Sequence, residues 1–141
     1  MRLLSAISCM MCILISCARE PSYIQAPFNG YTSEIDVSTL MPKQPRFYSL
    51  SIENKKISFF LVKVNGGIQA YFNACRECYS KKAGFRFEDG FIKCKSCSER
   101  WPLESLQDGI GNCYPIPLKG ALKGPKYVIT REVLLEGLKF F

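Results

Sequence analysis

Two C-x-x-C pairs, Cys75/Cys78 and Cys94/Cys97, stand fifteen residues apart in a chain of 141 residues that contains no histidine. A C-x-x-C turn sets two sulfurs on one side of the backbone. Two such turns facing each other make a near-tetrahedral four-thiolate cage suited to zinc or iron. The C-x2-C-x15-C-x2-C spacing falls in the zinc-ribbon range. Holding thiolates near neutral pH costs free energy, because a free cysteine titrates at about pH 8.5, and a bound metal offsets that cost. The chain between the pairs must also come back to where it started. Gly84-Phe85-Arg86-Phe87 and Phe91-Ile92-Lys93 around Glu88-Asp89-Gly90 predict a short hairpin that brings both pairs to one end.

Two other fates for these thiols stay open. Structural disulfides within each pair would close four-residue loops, which staple little of the chain because stabilisation grows with loop length. Thiol exchange of the thioredoxin type wants its first cysteine at a helix N-terminus, and neither pair begins a helix. Even a metal site has two meanings, since a closed four-thiolate zinc site can do no more than hold a fold together.

The compartment bears on this choice. Met1-Arg2 leads into an apolar run from Leu3 to Ile15 and then Leu14-Ile15-Ser16-Cys17. The run is short of the roughly 20 residues that a spanning helix needs. One positive charge, a short apolar stretch and a small residue before a cut make a secretory signal peptide. A cysteine just after the cut resembles a bacterial lipobox, which implies removal of residues 1–16 and acylation of Cys17. Each buried methylene of such chains contributes about 0.8 kcal/mol, so several acyl chains anchor stably. The expected address is the cell envelope, tethered to a membrane and facing the periplasm or exterior. Cys9 and Cys12 leave with the leader, and Cys17 is taken by lipid. Cys75, Cys78, Cys94, Cys97 and Cys113 remain, an odd number that cannot pair completely.

The whole chain carries 19 Lys and Arg against 12 Asp and Glu, a net charge of +7. Its basic residues are dispersed, with Lys55-Lys56 and Lys81-Lys82 as the only pairs. This reads as a solvated surface with some attraction to anionic lipid and excludes a nucleic-acid footprint. No Ser-His-Asp set, carboxylate pair or phosphate loop is present to compete with the cysteines; the balance favours a non-enzymatic electron carrier or metal-binding protein and leaves the enzyme question open.

Residues 17–33, with Pro21, Pro27 and Asn29-Gly30, read as a lipidated tether, and 34–141 as one domain. The pattern from Glu34 is β. E-I-D-V-S-T-L alternates; R-F-Y-S-L-S-I sets Tyr48, Leu50 and Ile52 on one side and Phe47, Ser49 and Ser51 on the other. I-S-F-F-L-V-K-V and I-Q-A-Y-F-N flank Asn65-Gly66-Gly67, a hairpin signal because glycine tolerates positive φ. A proline- and glycine-rich loop is expected over 105–124, then a strand K-Y-V-I-T and a terminal helix over 131–138, with Thr130 as N-cap and Val133, Leu134 and Leu138 on its apolar face. The fold class is mainly β: a small sandwich or barrel with two C-x-x-C knuckle loops and a short C-terminal helix.

F-F-L-V-K-V-N-G-G-I-Q-A-Y-F-N-A-C, the two knuckles and R-W-P-L resemble a Rieske-type domain, although Rieske centres use two histidines and this chain has none. N-A-C-R-E-C, G-F-R-F-E-D-G-F-I-K-C-K-S-C and G-N-C-Y-P-I-P-L, the last from Gly111 to Leu118, are similar to the FtrD-like family of membrane iron-sulfur-containing proteins. Asn112 and Tyr114 depart from that family's pattern around the last cysteine. Many family members also carry transmembrane segments, where this chain has only a lipoprotein leader.

The resemblance implies an iron-sulfur cluster or mononuclear iron, with zinc as the alternative, held by Cys75, Cys78, Cys94 and Cys97. It makes Cys113 a fifth ligand of second rank. It implies electron transfer linked to iron uptake or respiration, with a membrane permease or redox protein as partner. Pro115 to Leu118 are expected to wrap the site in apolar surface, Tyr79 and Trp101 to shield it, and the amides of Lys95 and Ser98 to face sulfur. The competing function is a non-redox interaction module with a structural zinc site made by the four paired cysteines.

Overall fold

The computed structural model describes residues 20–109 and 111–141; the expected leader 1–16 and Cys17 lie outside them. The described strands are β1 (Tyr23–Gln25), β2 (Thr32–Asp36), β3 (Arg46–Ile52), β4 (Lys55–Val64), β5 (Gly67–Cys75), β6 (Phe85–Glu88), β7 (Phe91–Cys94), β8 (Arg100–Pro102), β9 (Pro115–Pro117), β10 (Ala121–Lys123) and β11 (Lys126–Thr130). A single α-helix, α1 (Arg131–Gly137), follows among these residues and tightens into a 3-10 turn over Leu138–Phe140. The architecture is mainly β, as the patterning requires.

Three sheets form three layers. The central one runs β1-β3-β4-β5-β9, a second runs β10-β11-β2, and a third runs β6-β7-β8. Alternation along β4 explains the layering: Ile57, Phe59 and Leu61 enter one core, while Phe60, Val62 and Val64 enter the other. Both faces of the central sheet are therefore apolar and each must be covered. The first core takes Ile35 of β2, Tyr127 and Ile129 of β11, and Leu134 of α1. The second takes Phe85, Ile92 and Trp101 from the sheet that carries the second cysteine pair. At roughly 25 cal/mol per Å² of buried apolar surface, these two cores supply the main stabilising term and hold the cysteine-bearing sheet against the central one.

The two-residue hairpins are set by local chemistry. Asn65-Gly66 and Asp89-Gly90 have φ of 52° and 76°, and 52° and 83°, respectively. Positive φ at both central residues is the type I′ geometry whose twist matches paired strands. It places Val64 opposite Gly67 and Glu88 opposite Phe91.

Two segments depart from the expected organisation. Within the expected tether, Tyr23–Gln25 form β1, which pairs in parallel with β3, and Ala26 is buried at 2 % exposure. The cause is long-range, since β3 offers an open edge that Tyr23-Ile24-Gln25 can extend. The expected loop over 105–124 contains more structure than its prolines and glycines indicate. A 3-10 turn at Leu103–Asp108 buries Leu103 and Leu106, and Pro115–Pro117 forms the edge strand β9 on β5. Proline is tolerated there because an edge strand need not donate every N–H.

Candidate metal centre

Cys75 closes β5 and Cys94 closes β7, so the two strand ends deliver one cysteine of each pair from buried backbone. Cys75 is 2 % and Cys94 1 % exposed. Cys78 is half-buried, and Cys97 lies on the exposed tip of its turn. That turn is closed by two backbone bonds: Ser98 N–H donates to the Cys94 carbonyl at 3.1 Å, and Cys94 N–H to the Glu99 carbonyl at 2.8 Å. Ser98 takes a φ of 64° to allow this. After the first pair the chain turns through a short 3-10 segment, Tyr79–Lys81, with Lys81 N–H bonded to the Cys78 carbonyl at 3.0 Å.

Cys113 arrives from a different direction. Pro115 pairs with Cys75, and Arg76 N–H donates to the Tyr114 carbonyl at 2.9 Å, which fixes the chain around Cys113 beside the first pair. Ile116 and Leu118 enter the first core and hold β9 in place. Of the P-I-P-L block, expected to wrap the site, Ile116 and Leu118 therefore face the first core and not the cysteines, Pro115 lies opposite Cys75, and the block as a whole positions Cys113.

The sulfurs of Cys75, Cys78, Cys94, Cys97 and Cys113 all lie within 4.8 Å of one another. Cys113 Sγ is paired with Cys97 Sγ and is also 2.6 Å from Cys75 Sγ and 4.0 Å from Cys78 Sγ. A sulfur bonded to one cysteine has no bond left for a second. The Cα atoms of Cys97 and Cys113 are 7.7 Å apart. That exceeds the range of about 4.4–6.8 Å for disulfides. The arrangement is five thiols converging on a common point, which fits a thiolate-ligated metal group better than any pairing. No bond joins the two cysteines within either C-x-x-C pair.

Electrostatics explain why such a cluster needs a cation. Burial pushes the Cys75 thiol up to about 12, against which the backbone N–H groups of Cys78 and Glu77 favour its thiolate. The amides that face sulfur are therefore not those expected: Lys95 N–H goes to the Gly84 carbonyl at 3.0 Å and Ser98 N–H to the Cys94 carbonyl. Trp101 packs edge-on against Phe85, with centroids 6.2 Å apart, as part of the core. Tyr79 stays 39 % exposed and meets Phe140 at 5.4 Å. The half-buried residues that pack against the core beside the cysteines are Phe87 and Tyr114. Their place beside the cysteines is not legible in the sequence, because a lone aromatic carries no positional signal.

The family described as membrane iron-sulfur containing protein FtrD-like matches residues 40–141. The chain belongs to the FtrD-like family. The match spans both cysteine pairs, Cys113 and part of every sheet. No curated protein matches the chain, and no solved structure matches it; the more distant likeness to Rieske-type domains is thus carried by no match. The FtrD-like family is described as membrane-associated and iron-sulfur-containing, and five cysteines of this member are placed to bind a metal. No helix among the described residues is long and apolar enough to cross a membrane.

Proposed function

We propose that this FtrD-like protein is an electron carrier of the cell envelope. In this reading Cys75, Cys78, Cys94 and Cys97, with Cys113 as a fifth thiolate, hold an iron-sulfur centre. Cys17 carries the lipid that fixes the protein to the outer side of a membrane. The observation that supports the reading best is the convergence of five sulfurs within 4.8 Å in a chain without histidine. All-thiolate donor sets suit iron-sulfur groups, and membership in an iron-sulfur-containing family weighs the same way.

When bound, such a group supplies one-electron chemistry shared between iron and its thiolates. The protein's own residues set the conditions. Burial of Cys75 and Cys94 lowers the local dielectric, and the amides of Glu77 and Cys78 stabilise negative charge on Cys75. Cys97, on the exposed tip, marks the edge nearest a partner. A membrane permease for iron or a respiratory redox protein fits that partner's role.

Anaerobic purification of the mature protein, with metal and acid-labile sulfide analysis and visible spectra, tests the reading. Iron, sulfide and a visible band that bleaches on reduction are expected, and Cys94→Ser removes all three. Stoichiometric zinc without sulfide or colour would instead establish the structural-zinc module and overturn electron transfer.

A further inference from the structure

One cleft of this protein is rimmed by basic side chains. Lys43 pairs with Glu104 at 2.7 Å and Lys126 with Glu34 at 2.9 Å. A cavity of about 430 Å³ is lined instead by Tyr23, Lys55, Lys56, Ser58, Lys82 and Phe141, with no carboxylate side chain. It shares Tyr23, Ser58, Lys82 and Phe141 with a neighbouring cavity that continues to Asn73 and Lys95. Four lysines thus rim one continuous cleft. Lys55 Nζ donates to the main-chain oxygens of Leu138 and Phe141, and Lys95 Nζ to Glu20. Lys56 and Lys82 form no ion pair among the described residues.

The cleft is adjacent to the metal centre. Its wall residues Asn73, Ala74, Tyr79 and Lys95 lie within two positions of Cys75, Cys78 or Cys94. Lys55-Lys56 opens β4 at the end of the β4–β5 hairpin where Cys75 closes β5, opposite the Asn65-Gly66 turn. Lys63, eight residues along β4, sits at the far end, about 26 Å away.

The N-terminal segment reaches the domain at this same place. Tyr23 OH accepts from Asn73 Nδ2 at 2.7 Å, β1 holds the segment on β3, and Glu20 binds Lys95 at 2.7 Å. Cys17 is three residues before Glu20, a covalent reach of at most about 11 Å. A lipid on Cys17 would therefore bring the bilayer surface to the rim of the lysine cleft.

We propose that this cleft seats the anionic phospholipid headgroups of the membrane in which Cys17 is anchored, so that the cysteine centre faces the bilayer. The proposal rests on the lipid-anchor reading. The acyl chains then hold the protein at the membrane, and the basic patch fixes its orientation there. Their electrostatic part is confined to lysines within a Debye length of the surface. A redox partner of the centre would on this orientation be a protein embedded in that membrane.

The test uses the mature protein as extracted from its membrane, reconstituted in vesicles of phosphatidylcholine, alone or with phosphatidylglycerol, with lysine acetylation and the state of Cys17 mapped by mass spectrometry. Phosphatidylglycerol is expected to lower labelling of Lys56 and Lys82 at least about fivefold, with recovery at high salt, while Lys43 and Lys63 label equally in both. The double variant Lys56→Glu/Lys82→Glu changes only exposed side chains; it is expected to abolish the response of Lys55 and Lys95 to phosphatidylglycerol. Equal labelling of the cleft lysines in both vesicles overturns the proposal, as does protection that arises only when a membrane protein is co-reconstituted. The Cys17 peptide separates the two readings: an unmodified cysteine overturns the anchor and the orientation together, whereas an acylated Cys17 with unprotected lysines overturns the orientation alone.

Discussion

The side-chain oxygen of Asn73 accepts the backbone N–H of Phe85 at 2.7 Å. This one bond ties the strand that ends in Cys75 to the hairpin that ends in Cys94, so it sets one half of the cysteine site against the other. Asn73 is 6 % exposed, and its Nδ2 is used by Tyr23 OH at 2.7 Å and Ser58 Oγ at 3.4 Å. Replacing Asn73 by Ala leaves a buried Phe85 N–H without an acceptor, a loss of about 1–3 kcal/mol. Urea denaturation of Asn73→Ala should show that loss, together with weaker metal retention against chelator. Unchanged stability would mean that water replaces the amide.

Gly84 separates steric from conformational cost. It has a φ of 70°, and a Cβ built there would lie 2.7 Å from Asn73 Nδ2. Gly90 has a φ of 83° with nothing within 4 Å of its Cβ position. Alanine at Gly90 carries only the left-handed penalty of roughly 1–2 kcal/mol. Alanine at Gly84 carries that penalty and also displaces Asn73. Gly84→Ala should therefore destabilise more than Gly90→Ala by denaturation midpoint, and only the former should impair metal binding.

These residues also mark what was legible in the sequence. Strands β3 and β11 coincide with R-F-Y-S-L-S-I and K-Y-V-I-T, and the hairpins at Asn65-Gly66 and Asp89-Gly90 form as their turn chemistry predicts. Each depends on neighbours in the chain. What escaped depends on distant ones: β1 on the edge of β3, Leu103 and Leu106 on the second core, and Asn73 between Tyr23 and Phe85. Ser49 is a related case, since a polar residue in an alternating strand reads as outward yet is 3 % exposed because the sheet is covered on both faces. The four paired cysteines were visible from spacing. The place of Cys113 was not, because it is set by β9 docking on β5 and by the Arg76–Tyr114 bond.

Cys113 should behave as a working member of the site. Its sulfur is 2.6 Å from that of Cys75, 4.0 Å from that of Cys78, and paired with Cys97. Loss of a group this central should weaken metal binding by at least the roughly 10- to 100-fold typical of supporting residues. Chelator competition on Cys113→Ser measures this. Wild-type retention and an unaltered spectrum would remove Cys113 from the ligand set and leave a four-thiolate centre.

Alkaline pH should unfold the domain through its buried tyrosines. Burial pushes the Tyr71 hydroxyl up to about 12, and also raises Tyr127, Tyr48 and Tyr23 above their ordinary value near 10. Tyr71 OH donates to Gln69 Oε1 at 2.8 Å and Tyr127 OH to the Leu118 carbonyl at 3.2 Å, and ionisation abolishes both bonds. An acid whose folded value is raised holds its proton more tightly when folded. Its contribution is thus complete below the unfolded value of about 10 and is lost as pH climbs towards the folded value. Stability should be flat with respect to these groups below pH 10 and fall between pH 10 and about 12. Tyrosinate absorbance followed together with circular dichroism checks the coupling. The buried tyrosines should ionise in the same transition that removes β structure, while Tyr71→Phe, which keeps the ring but has no proton to lose, should move that transition to higher pH. Ionisation of every tyrosine with the fold intact would show that these hydroxyls reach solvent.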